Sequence, residues 1–212
     1  MRHVAESFSW PFRGARRSAW AIGLLTVLFV PVLFIPLLGY SVAATRASEI
    51  DPAAGPPPWR WSVRLLSDGF WVTLALLVSW LPFALLLNPL ADVLSGVTSN
   101  AFNAHVVAFL VLALPWGLLA LLVLPHATAS FAASGRPGDL FDVAAGLRGV
   151  SHDFATWNAV VAAIVTAWAI GLACVGLLCV GIVPGVFYAI LVSAHASATL
   201  HAPGPRPGSG PR

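Results

Sequence analysis

Five apolar runs separated by short polar stretches organise this chain, at residues 18–43, 69–90, 105–131, 156–177 and 183–200. A helix rises about 1.5 Å per residue and a bilayer core is about 30 Å thick, so about 20 apolar residues make one crossing. The second and third runs have that length. The apolar stretch from Thr156 to Leu200 is too long for one crossing and suits two, with Gly176, Gly181, Pro184 and Gly185 marking a turn inside it. Gly181 and Gly185 also fit a G-x-x-x-G helix-packing pattern, but Pro184 between them favours the turn. The first run carries Pro31 and Pro36, and two prolines that close break or kink a helix. It reads as a hairpin of two half-helices that enters and leaves by one face, with a single kinked crossing as the alternative. The expected fold is therefore all-α: a polytopic transmembrane helical bundle of about four full spans plus a proline-broken N-terminal hairpin, or five spans.

The polar segments complete the layout. Residues 1–17 hold Arg2, Arg13, Arg16 and Arg17 among Phe8, Trp10 and Phe12, an amphipathic segment suited to a membrane surface. A signal peptide is the rival reading, but the apolar run after Arg17 exceeds the usual core of about 7–15 residues, so no cleavage is expected. Residues 18–201 form one transmembrane domain. Residues 202–212, rich in proline and glycine, form a tail expected to be disordered.

Composition sharpens this picture. Hydrophobic residues make up 58% of the chain and charged residues 9%, with a mean hydropathy of +0.86. Soluble domains carry about 25% charged residues, so this chain has too little polar surface for a water-facing globule. The basic residues, eleven in number, are all arginine, and they are scattered rather than drawn into a basic stripe, which excludes a nucleic-acid footprint. Their placement instead sets sidedness. If the first run is a hairpin, every arginine falls on one side and the arginine-free links at 91–104 and 176–184 fall on the other. Cytoplasmic loops are enriched in arginine, so both termini are expected in the cytoplasm of an inner-membrane protein.

A weak internal repeat accompanies the spans. Arg64, Ser67 and Phe70 precede the second run and Arg148, Ser151 and Phe154 the fourth, both as R-x-x-S-x-x-F. Small residues follow Tyr40, His126 and His195 at the ends of three runs, where helix ends can pack closely.

The motif Trp10-Pro11-Phe12-Arg13, the proline-broken run ending in Gly39-Tyr40, Pro58-Trp59, and Leu65-Leu66-Ser67-Asp68-Gly69 together resemble a prokaryotic integral membrane family. It is known as domain of unknown function 4013. The resemblance lies in the order and spacing of these landmarks and covers nearly the whole chain except the tail. It implies an integral membrane fold and supplies no activity, cofactor or catalytic residue. Where the family tends to have acidic residues after the tryptophan, this chain has Arg60, Ser62 and Arg64, so no role of those acids carries over.

No constellation of catalytic residues stands out. Ser151, His152 and Asp153 are adjacent, point in different directions and lack a G-x-S-x-G setting, so they do not make a triad. Capping of the next span by Ser151 or Asp153 is the ordinary account. His126, His195 and His201 fall near one face and form a candidate polar cluster, but no further ligand stands at helical spacing to hold a metal. Cys174 and Cys179 are five apart on one apolar run and cannot reach each other as a disulfide. The span interiors carry no ionisable residue, which argues against ion-coupled transport. Six tryptophans (Trp10, Trp20, Trp59, Trp61, Trp71 and Trp157) are expected at interfaces. Trp80, Trp116 and Trp168 are expected to pack deeper.

The leading expectation is a non-enzymatic scaffold or accessory component of the cell envelope, without cofactor or metal. Arg13, Arg16, Arg17, Arg60, Arg64 and Arg148 are its candidate contacts to anionic lipid or a membrane protein partner. A transporter or permease subunit for an apolar or amphipathic solute is the alternative, motivated by the repeat. A histidine- or metal-dependent membrane enzyme is a third.

Overall fold

The computed structural model describes residues 2–14, 17–98, 100–174 and 181–201, without the side chains of residues 2, 3 and 17. The turn containing Gly176 and Cys179, Arg16 and the tail lie outside the described residues. Eight α-helices and no strand occur among the described residues: α1 (Arg2–Glu6), α2 (Arg17–Leu28), α3 (Val30–Ile50), α4 (Val63–Ser95), α5 (Ala101–Ser134), α6 (Val143–His152), α7 (Phe154–Ala173) and α8 (Ile182–Ala198). Four of them, α3, α4, α5 and α7, are long and apolar enough to cross a membrane. The helix α8, expected as a full span, has 17 residues.

Local chemistry sets the boundaries. Side chains at four helix starts accept otherwise orphaned amides. Ser62 Oγ accepts from Leu65 N, Asn100 Oδ1 from Asn103 N, Asp142 Oδ1 from Ala145 N, and Asp153 Oδ1 from Thr156 N, all between 2.8 and 3.1 Å. Of the two candidates for this cap, Ser151 and Asp153, it is Asp153 that caps α7, and hydrogen bonding from Thr156 holds its carboxyl below the ordinary aspartate value. Gly135, at φ 71°, closes α5 in the left-handed conformation that suits a helix C-terminus.

The first run is broken at Phe29. Pro31 stands in the first turn of α3, where its missing N–H would have lacked a partner in any case. The amides of Val32 and Leu33 both donate to Phe29 O at 2.9 Å. The two arms then fold together. A Cβ added to Gly23 on α2 would strike the Phe187 ring, and Tyr40 on α3 stacks on that same ring at 6.0 Å. The chain before α2 also touches the chain after α3, where a Cβ on Gly55 would lie 2.3 Å from Arg13 O. So α2 and α3 form a hairpin with both ends on one side, and its tip exposes Leu28, Phe29 and Val32.

Glycine contacts set the spacing of the larger helices. A Cβ on Gly39 would stand 1.9 Å from Leu65 O, and one on Gly69 would stand 1.9 Å from Ile35 O, so α3 and α4 touch backbone to backbone. The same happens between α7 and α8 at Gly171 and Gly185, whose added Cβ atoms would lie 2.7 and 2.6 Å from the opposite carbonyl oxygens. Gly185 is thus a packing residue, not only part of a turn.

Interior prolines leave carbonyls without donors, and in an apolar solvent these need replacement partners. Pro125 removes the amide that would bond Leu121 O, and Trp157 Nε1 of α7 donates to that oxygen at 3.3 Å. Trp116 Nε1 of α5 donates at 2.9 Å to Ser79 O, three residues before Pro82 on α4. Both indoles therefore join helices by hydrogen bonds as well as by packing. Other tryptophans depart further from expectation. Trp10 is 0% exposed inside the core with Leu37, Tyr40, Phe187 and Leu191, and Trp59 is buried with them. Trp80, expected inside, is 57% exposed on the outer face of α4.

Replacing Gly69 by alanine should lower the unfolding midpoint in micelles by an amount equivalent to about 2–3 kcal/mol, because backbone cannot yield as a side chain can. Gly117→Ala, with nothing within 4 Å of its added Cβ, should change little. Trp157→Phe should cost about 1–2 kcal/mol by stranding Leu121 O. In the Pro125→Ala background, where the helix regains its own donor, that cost should largely vanish; additive effects would refute the carbonyl assignment.

Candidate functional site

The polar segment expected over 44–68 is shorter than the sequence implied. The helix α3 runs on to Ile50 and α4 begins at Val63, so Arg46 and Asp68 are helical residues facing each other across the α3–α4 contact. Arg46 Nη2 lies 3.2 Å from Asp68 Oδ2, and Arg46 Nε donates to Ala132 O of α5 at 2.9 Å. That carbonyl is one of the last of α5, which has no helical amide left to serve it. Three helices are thereby tied at one point. The side chains of Arg46 and Asp68 are 21% and 10% exposed. Charge thus lies at the helix ends in a paired form that the apolar-run pattern did not show.

Around this pair is a cavity of about 430 Å³ lined by Tyr40, Ala43 and Arg46 of α3, by Pro57, Pro58 and Arg60, and by Ser62, Arg64, Leu65 and Asp68. Its outer wall is held in place. Tyr40 Oη donates to Pro57 O at 2.9 Å, and the Tyr40 ring stacks on Trp59 with centroids 4.1 Å apart. Prolines stiffen the same segment. Arg64 Nε stands 4.0 Å from Asp68 Oδ2 with a mostly exposed side chain, and Arg60 is exposed with no ion pair among the described residues. Three arginines and one carboxylate thus line the cavity, an excess of two positive charges among its lining residues. No histidine or cysteine lines it, and the Ser62 hydroxyl is engaged as the α4 cap. This arrangement can hold an anion.

The other sequence-derived candidates are placed as follows. Arg13 pairs with Glu6 at 3.7 Å, and Arg17 opens α2. Arg148 is exposed on α6, with Nε donating to Ala144 O at 3.2 Å. Ser151 Oγ donates to Arg148 O, so it is turned away from Asp153 and its cap. The histidines do not form one cluster. His126 and His201 meet edge to face at 6.4 Å, and His201 Nε2 lies 3.3 Å from Ser130 Oγ. Desolvation lowers the His201 pKa from its ordinary value, against an opposing pull from Asp139. His195 is buried elsewhere, with Nδ1 2.8 Å from Ser7 Oγ and its ring 5.0 Å from Trp10. No group of three or more potential metal ligands occurs among the described residues. The two copies of R-x-x-S-x-x-F also differ in setting: the first lies within α4, whereas the second runs from α6 across a break into α7.

Sequence reasoning selected Arg60 and Arg64 and missed Arg46, Asp68 and Tyr40. The spacing of Tyr40, Ala43 and Arg46 at every third residue marks one helix face, but nothing local names the partner across the bundle.

Among known proteins, the family described as "Protein of unknown function (DUF4013)" matches residues 22–192. No curated protein and no solved structure matches the chain.

Asp68→Asn should destabilise the protein by about 2–3 kcal/mol, less than the ~3–5 kcal/mol of a fully buried pair because Arg46 keeps some contact with solvent. Arg46→Met combined with Asp68→Leu should cost less than the sum of the single changes, measured by thermal unfolding of the four proteins. Additivity would show that the two groups do not depend on each other.

Proposed function

The chain belongs to this family of proteins of unknown function, and from that premise we propose that it is a non-enzymatic scaffold or accessory component of the cytoplasmic membrane. Its arginine-bearing end faces the cytoplasm and engages anionic lipid or a membrane protein partner there. The observation that carries this reading is the hairpin of α2 and α3. It returns Arg13 to the level of Gly55, next to the segment bearing Arg60 and Arg64, so the N-terminal arginines share one end of the bundle with the cavity. Arg136 and Arg148 follow the C-terminus of α5 at that same end, where Ala132 O meets Arg46. Arginine retained on one side of a multi-pass protein sets its orientation, and the same charge attracts the anionic inner leaflet.

Sidedness is measured by introducing Ala54→Cys or Gly96→Cys into a cysteine-free background and labelling intact cells with an impermeant thiol reagent. Cys at 96 should label and Cys at 54 should label only after permeabilisation; the reverse pattern would overturn the orientation. Protein extracted in native lipid particles should carry more anionic lipid than the surrounding membrane, or a stoichiometric partner. Finding neither enrichment nor a partner would remove the support for a scaffold.

A further inference from the structure

We infer that the cavity between α3, α4 and the Pro57–Arg60 segment is a binding site for a phosphate ester that carries a free alcohol. The inference deepens the reading above and rests on it for the side of the bundle at which such anions are met.

The donors divide into two groups. The Arg46 fork is occupied by Asp68 Oδ2 and Ala132 O, which fixes it as positive backing to the cavity. Arg60 has no ion pair among the described residues, and Arg64 stands at the limit of pairing distance from an oxygen that Arg46 already holds. Two guanidinium forks are thus left for a ligand. A planar fork offers paired N–H donors that match two oxygens of a phosphate, which a compact ammonium does not. The positive end of the α4 dipole at Ser62 and Val63 adds to the same field.

The shape of the site narrows the ligand. At about 430 Å³ the cavity holds a phosphate with room for the group esterified to it. Asp68, among the lining residues, is an acceptor that repels additional negative charge and welcomes a hydroxyl. A singly or doubly charged phosphate ester of a small polyol satisfies both the guanidinium groups and the carboxylate. The wall is preformed by the Tyr40–Pro57 hydrogen bond and the Tyr40–Trp59 stack, so binding orders little additional chain.

The same chemistry occurs in the headgroup of phosphatidylglycerol and in free glycerol 3-phosphate. Both are probes for the full-length protein. Native mass spectrometry counts phosphatidylglycerol retained from mixed lipid particles, and calorimetry follows glycerol 3-phosphate. The Arg60→Gln, Arg64→Gln double variant should bind about tenfold or more weakly with an unchanged unfolding midpoint, since both side chains are exposed, whereas Asp92→Asn, an exposed site at the arginine-free end, should bind as the parent does. Retention of the lipid alone identifies a headgroup site, and binding of the soluble ester alone identifies a free metabolite site. Displacement of one by the other shows that they share the cavity. Parent-like binding of both probes by the double variant, equal loss in Asp92→Asn, or no binding of either probe would overturn the assignment. Anionic lipid enrichment that persists in the double variant but falls in Arg148→Gln would leave the charged face standing and remove only the cavity. Absence of enrichment in the parent would remove the charged face, and the cavity with it only where glycerol 3-phosphate also fails to bind.

Discussion

The contact of α3 with α4 at Gly39 and Gly69 fixes the geometry on which the polar end of the molecule depends. Backbones that touch cannot slide past each other without a glycine for each step, so the two helices have one register. In that register Arg46 meets Asp68, Tyr40 meets Pro57, and the Arg46 fork extends beyond the pair to the last turn of α5. A shift of one turn, about 5.4 Å, would separate the charges and leave a carboxylate in a largely dry place. The cavity is therefore a product of helix packing. The loop that covers it is held against α3 by the Tyr40–Pro57 hydrogen bond and the Tyr40–Trp59 stack.

A second constraint is the scarcity of donors in an apolar surrounding. The long helices tolerate Pro82, Pro89, Pro115 and Pro125, which are rare in soluble helices because each removes a hydrogen bond. Next to Pro82 the Trp116 indole adds a bond to Ser79 O, and at Pro125 the Trp157 indole of a neighbouring helix supplies the missing donor. The bond then makes a local defect into a link between helices, since the carbonyl is satisfied only while the neighbour stays in place. Within α5 the Thr128 hydroxyl bonds back to its own helix, 2.7 Å from Leu124 O and 3.1 Å from Pro125 O. The tip at Phe29 solves the same problem differently, with a proline where no donor was needed.

These constraints leave the two ends of the bundle unlike. At one end, helix starts and stops carry arginine, aspartate and capping groups, and the short helix α6 lies across α5 with Gly149 set against His126. At the other end the links are short and free of arginine, and the α4–α5 hairpin exposes apolar side chains on most of its surface. Such a surface is stable only against apolar surroundings, and the guanidinium groups require water or anions. Composition thus sets the apolar surface, and packing arranges the charged end.

The sequence by itself determined the helical class, the number and approximate limits of the apolar runs, the proline break near residue 31 and the family, and it narrowed the cap of α7 to Ser151 or Asp153. These follow from composition, from the length a bilayer imposes, and from chemistry acting over three or four residues. It also marked Arg60 and Arg64, because charge beside an apolar run is visible locally. The sequence reads 134–155 as a polar loop; the short helix α6 inside it, with Gly146 and Val150 buried, emerges only where it packs against α5. Only the tertiary structure decided that Arg46 faces Asp68, that Trp10 and Trp59 are core residues, that Trp116 and Trp157 bond to carbonyls of neighbouring helices, and that His195 pairs with Ser7 while His126 and His201 meet each other. Each of these depends on a neighbour more than twenty residues away or on another helix, and an apolar run has the same pattern whichever of its faces meets protein and whichever meets lipid.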